Sequence, residues 1–225
     1  YLLGTPFESL RDLDFATIAL PAVTALILRA VRFPVFTVGS RFGTVGTILE
    51  ADAVRREIQI TTYRGEAYSN GNRKPRVTFG RDLESDLARR DFSINAMAMT
   101  ADRRLIDPFG GEKDLQQRTL RTVGDPRVIF REDPLRTLRA ARFIATLGMR
   151  PEAGLPEVVR EVAGEILTVS RERWLLEMNK ILLGSAASEG LSFLESTGIL
   201  AHLWPAGVLC FAGVTVFSLS SRVIF

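Results

Sequence analysis

The chain has 225 residues, with 29 Lys plus Arg against 26 Asp plus Glu, for a net charge of +3. That length is enough for one or two cores, and the nearly balanced charge permits a nucleic-acid partner without demanding one. A single cysteine, Cys210, and a single histidine, His202, exclude a disulfide framework, a Cys-based zinc site and a Ser-His-Asp or Cys-His catalytic arrangement.

Tyr1-Leu2-Leu3-Gly4 has neither the basic region nor the apolar core of a signal peptide. The lack of an initiator Met predicts a chain that starts inside a longer protein. Ala19 to Val31 predicts a helix, and Phe33 to Val38 and Gly43 to Leu49 predict strands. Glu57 to Tyr63 alternates and is rich in Ile and Thr, which suits a half-buried strand. Arg64 to Arg81 is polar and long for a loop, so it is functional or disordered. Asp82 to Met99 predicts a helix on the spacing of Leu83, Leu87, Ile94 and Met97, and Asp107 to Gly111 a turn.

From Asp125 the pattern becomes helical. Asp125-Pro126 and Asp133-Pro134 each place a capping Asp before a Pro at the first helical position. The second of these helices runs to Gly148; Pro156 to Leu167 and Glu172 to Leu183 predict two more. Ala206 to Phe217 is mostly apolar but too short for a bilayer span, which takes about 20 residues. A mixed α/β head thus precedes an all-helical segment, with a boundary near residue 122. The expected division is a head over 1–122, a helical neck over 123–184, and a partial helical body with an apolar tail over 185–225.

Three clusters carry candidate chemistry. Asp12-Leu13-Asp14 places two carboxylates on one face of an extended segment. Such a pair is either a solvated turn or a ligand set for Mg²⁺, which takes one or two carboxylates plus substrate phosphates. Asp86 to Asn95 contains Arg89, Arg90 and Asp91 at spacings that also pair along a helix face. Glu132-Asp133-Pro134-Leu135-Arg136 begins a run in which Arg136, Arg139 and Arg142 recur every third residue, one slowly drifting stripe. An Asp that accepts and an Arg that donates can read a base edge as a complementary base would; a helix cap and a solvated face explain the same residues. Arginine far outnumbers lysine, present only as Lys74, Lys113 and Lys180. That bias suits phosphate and base contacts, and a GC-rich genome produces it as well. No Gly-x-Gly-x-x-Gly or Walker A loop appears.

In this order the clusters resemble the class II tRNA nucleotidyltransferases, or CCA-adding enzymes, and the bacterial poly(A) polymerases. The resemblance rests on Leu2-Leu3-Gly4 with Asp12-Leu13-Asp14, on Val38 to Val45, on Ile60 to Arg64 and on Asp86 to Asn95. Ile106 to Gly111, Glu132 to Phe143, and Ser170 to Arg173 with Glu177 extend it over about residues 1 to 200. It implies an α+β fold with a polymerase β-like nucleotidyltransferase head and small mixed sheet, then an all-α neck and the start of a helical body. It implies that Asp12 and Asp14 hold Mg²⁺ and that Arg90, Asp133, Arg136, Arg139 and Arg142 line a pocket for CTP or ATP. The implied reaction is template-independent CCA addition to tRNA 3′ ends, in the cytoplasm, by two-metal-ion catalysis. By the same resemblance the Arg64–Arg81 loop helps switch specificity from C to A.

Gly39 to Val45 lacks the basic pair and His-Val of poly(A) polymerases. The nearest rival, an A-adding enzyme or a poly(A) polymerase, is therefore less favoured than CCA addition to tRNA. The chain departs from the family in three places. It lacks the Gly-Gly-x-Val-Arg-Asp segment expected before Leu-Leu-Gly. It carries Gln59 where a carboxylate is usual, with Glu57 two residues earlier on the same face. It lengthens the Gly4–Asp12 spacing. These departures keep open a catalytically dead RNA-binding remnant.

Overall fold

The computed structural model describes residues 2, 4, 9–51, 54–65, 78–80 and 82–204, and the chain divides into two units, Tyr1–Arg89 and Arg90–Phe225. The architecture is α+β. Among the described residues, no helix is long and apolar enough to cross a membrane. The predicted apolar tail, and most of the predicted Arg64–Arg81 loop, lie outside the described residues.

The first unit is built on the alternating strand β3 (Val54–Thr62), flanked by β1 (Asp12–Thr17) in parallel and β2 (Thr44–Ala51) in antiparallel register. Alternation gives the sheet two faces. Val45 and Ile60 point to one of them and pack with Ala25 and Leu28 of α1 (Pro21–Ala30). Asp12, Asp14, Glu57, Gln59, Gly46 and Ile48 share the other, by register. Thr17 and Thr62 fix the β1–α1 turn: the Ala19 N–H donates to Thr17 Oγ1 at 3.1 Å, and Thr62 Oγ1 donates to the Ala19 carbonyl at 2.6 Å.

Two sequence expectations change in this unit and just after it. Phe33 to Val38 forms no strand and is held to β2 by a single bridge, Phe36 to Gly46. Pro34 has no N–H for a ladder, and the chain turns at Ser40–Phe42 into a 3-10 turn. The helix predicted over Asp82 to Met99 ends early, as α2 (Leu83–Ala88), capped by Asp82, whose carboxylate accepts from the Glu84 and Ser85 N–H groups. The apolar spacing of Leu83, Leu87, Ile94 and Met97 favoured a longer helix, but burial wins. Phe92 is fully buried, bridges Thr122, and is followed by a 3-10 turn at Ser93–Asn95.

The second unit is organised around α5 (Leu135–Leu147), on which α7 (Arg171–Leu182) and α8 (Ala187–Ser196) pack. Before it come the short strands β4 (Ala98–Met99) and β5 (Leu105–Ile106), α3 (Gly111–Gln117) and α4 (Pro126–Glu132). After it come α6 (Leu155–Val162), a 3-10 turn at Ala163–Thr168 that shortens the predicted third helix, and α9 (Ile199–Leu203). Asp125 caps α4, accepting from the Arg127 N–H at 2.9 Å, with Pro126 at the first helical position as predicted. Phe92 meets Phe143 edge-on at 5.6 Å and Phe130 at 6.5 Å, inside the core that holds Leu138, Ala141 and Ile181. The turn before α3 needs Gly111: a Cβ there would stand 2.1 Å from the Ser93 carbonyl oxygen.

Candidate active site

In the first unit, the parallel register sets Asp12 beside Glu57 and Asp14 beside Gln59. Both aspartates are exposed. As i and i+2 of one strand they point the same way, about 7 Å apart. Among the described residues no group of three or more His, Cys, Asp or Glu could hold a metal ion. Asp12 and Asp14 offer two hard carboxylates on an open face. That set fits a divalent ion completing its shell with water and phosphate oxygens, as Mg²⁺ does. The two residues flagged by sequence stand directly across the strand pair, Glu57 against Asp12 and Gln59 against Asp14.

In the second unit, the candidate nucleotide residues gather at the start and along one side of α5. Asp133 accepts through Oδ1 from the Leu135 N–H at 3.2 Å and through Oδ2 from Arg173 at 2.8 Å. Arg136 donates to the Ile129 carbonyl at 3.1 Å and to Glu132 at 3.0 Å. Arg139 pairs with the buried Asp91. Arg142 stands 3.3 Å from Glu177 and stacks over Phe143 at 4.3 Å. Arg90 reaches the Asn95 carbonyl at 3.5 Å. The arginine stripe is thus an array of ion pairs, each guanidinium held by a different carboxylate.

Asp91 pairs with the central arginine of this array; the sequence placed it in the Asp86–Asn95 cluster but not opposite Arg139. Burial alone would raise its carboxyl, but the Arg139 hydrogen bond and charge, with Asn95 and the Phe92 N–H, bring it below its ordinary 3.8. Burial likewise works against the Arg139 charge, and Asp91 restores it above the usual guanidinium value. Burial and the adjacent Arg139 charge lower Arg142, with Glu177 and Asp91 opposing. Glu177 is itself buried and also faces Lys180 at 3.9 Å. The Asp91–Arg139 contact spans 48 positions. Only the charge of both residues hinted at it.

Residues 1–121 match the family described as Poly A polymerase head domain, and residues 148–208 match "Probable RNA and SrmB- binding site of polymerase A". The chain is similar to the CCA-adding enzyme of Geobacillus thermodenitrificans, 40% identical over 204 residues, covering 90% of this chain and 48% of that protein. It is 39% identical to the Bacillus subtilis CCA-adding enzyme over 198 residues, 87% of this chain and 48% of the relative. The chain spans about half the length of the curated relatives it matches. Among solved structures, it resembles the Bacillus stearothermophilus CCA-adding enzyme in complex with CTP, with a TM-score of 0.76 and 38% identity. That match covers 89% of this chain and 46% of the other. It also resembles the Thermotoga maritima CCA-adding enzyme complexed with tRNA, with a TM-score of 0.66 and 26% identity, over 87% of this chain and 44% of that one.

Proposed function

This chain belongs to the poly(A) polymerase head-domain family, and on that footing we propose that it adds CMP and AMP from CTP and ATP to tRNA 3′ ends without a nucleic-acid template, in the cytoplasm. The observation that carries the reading is the exposed pair Asp12 and Asp14 on one face of an edge strand. The relatives named CCA-adding enzyme, and the CTP and tRNA complexes among similar structures, supply the substrate class.

Asp12 and Asp14 would hold Mg²⁺, which supplies charge neutralisation at the attacking hydroxyl and the departing pyrophosphate. In the reaction the terminal ribose hydroxyl attacks the α-phosphate, a new P–O bond forms, and the bond to the β-phosphate breaks. The chain's own contribution is placement and fixed charge. Asp133 accepts from base amino groups and Arg136 donates to ring nitrogens and carbonyls. Arg139 and Arg142, paired with Asp91 and Glu177, line the nucleotide pocket together with Arg90. The head, neck and body boundaries near 122 and 184 belong to the same reading.

The test is a double variant. Asp12→Ala with Asp14→Ala removes two exposed side chains, so the thermal midpoint stays within about a degree of the parent, surface changes being small. Incorporation of labelled CMP falls below detection. Turnover persisting in that variant contradicts the assignment.

A further inference from the structure

A groove of about 600 Å³ opens over β2 and β3, on the sheet face that carries Asp12 and Asp14. Its floor is Gly46 with Glu57 and Gln59, and its walls include Phe36, Val38 and Phe42. The walls are wet: Phe36 is 47%, Phe42 50% and Val38 94% exposed. Arg41 lies over the Phe42 ring at 4.6 Å, and Arg55 lines the groove from the β3 side. β2 lies two strand spacings from β1, about 10 Å. The groove therefore runs toward the acidic pair along one surface.

Apolar walls, two half-exposed aromatic rings and nearby guanidinium groups are a poor match for free solvent. They match single-stranded nucleic acid, whose bases stack on aromatic faces while cations track the phosphates. Gly46 puts no side chain on the floor beside Phe36, whose Cβ lies 3.6 Å from where a Gly46 Cβ would stand. Glu57 and Gln59 offer acceptors for ribose hydroxyls and base amino groups. Position selects which strand. If Asp12 and Asp14 serve the attacking hydroxyl, the nucleotides just before it must lie beside them on the same face.

We propose that this groove is the seat of the single-stranded 3′ end of the RNA acceptor, with Phe42 and Phe36 as positioning residues that stack its penultimate bases. The inference rests on the nucleotidyl-transfer reading and adds to it the place where the acceptor is gripped.

The experiment is fluorescence anisotropy of the 225-residue chain with a 5′-labelled tRNA acceptor minihelix bearing a single-stranded 3′ end, against the blunt minihelix. Phe42→Ala weakens binding of the overhanging RNA about ten-fold, as loss of one stacked base does, and leaves the blunt duplex unchanged. Phe42→Tyr keeps parental affinity. Mg²⁺-dependent CTP binding, read by calorimetry, is the same in all three proteins. Equal affinity of parent and Phe42→Ala for the overhanging RNA overturns the assignment, as does equal loss on the blunt duplex. A parent that binds CTP but not overhanging RNA overturns the groove alone. One that binds neither overturns the transferase reading as well.

Discussion

Asp91 shows how much one buried carboxylate holds in place. It accepts from the Phe92 N–H and Asn95 Nδ2, both at 3.1 Å, and pairs with Arg139 on α5. Asp91→Asn keeps the shape but takes the nearest carboxylate from Arg139, whose side chain is 30% exposed, so the cost is about 2 kcal/mol, between that of a surface pair and that of a buried one. Urea denaturation is the check, and a midpoint equal to the parent's contradicts the account. The pH dependence has a definite sign. The folded carboxyl titrates below its ordinary 3.8, so its contribution is complete above that pH. It is lost as pH falls through the lower folded value. The acid limb of the parent's stability curve is therefore steeper than that of Asp91→Asn. The acidic pair Asp12-Leu13-Asp14 was legible because strand alternation puts i and i+2 on one face, and the structure lays them so. The Asp91–Arg139 pairing was not, because 48 positions separate its members and only tertiary packing selects among the arginines.

Helix α5 is the element on which the second unit depends, and its neighbours approach unusually closely at glycine. A Cβ on Gly190 of α8 would stand 2.8 Å from Ala145 Cβ and 2.9 Å from the Ala141 carbonyl oxygen. Two effects oppose each other in Gly190→Ala. Removing a helical glycine gains about 1 kcal/mol, while overpacking a well-filled contact costs about 1–3 kcal/mol. The clash wins, because the obstructing atoms belong to the α5 backbone and a Cβ, which cannot rotate away. Gly190→Ala thus lowers the thermal midpoint, and a raised midpoint would show that α8 shifts freely. At this scale the sequence was a fair guide where caps spoke, as at Asp125-Pro126 and Gly148, which adopts a left-handed φ of 61° at the end of α5. It misled at Asp82 to Met99. Leu83, Leu87, Ile94 and Met97 keep helical spacing, yet Phe92 is drawn into the aromatic core and turns the chain out of the helix.

Across the whole molecule, the order of motifs carried more than any one of them. Paired carboxylates, a cluster with two arginines and an Asp-Arg helix start are each common. Their succession along one chain is what the resemblance rested on, and the head-domain match over residues 1–121 shows the family. Val38 to Val45 carried part of the resemblance, but nothing in it marked a groove over β2 and β3. Phe36, Phe42 and Gly46 read as ordinary strand and turn residues until the fold lined them along one sheet face. In the proposed transfer, the acidic pair of the first unit and the Asp-Arg helix start of the second serve one reaction. The chain is supplied with Mg²⁺, labelled CTP or ATP, and tRNA lacking CCA, CA or A. CMP is added to the first two acceptors, and AMP only to the one that already ends in both cytidines. AMP incorporation alone, or no incorporation of either nucleotide, would contradict the proposed transfer.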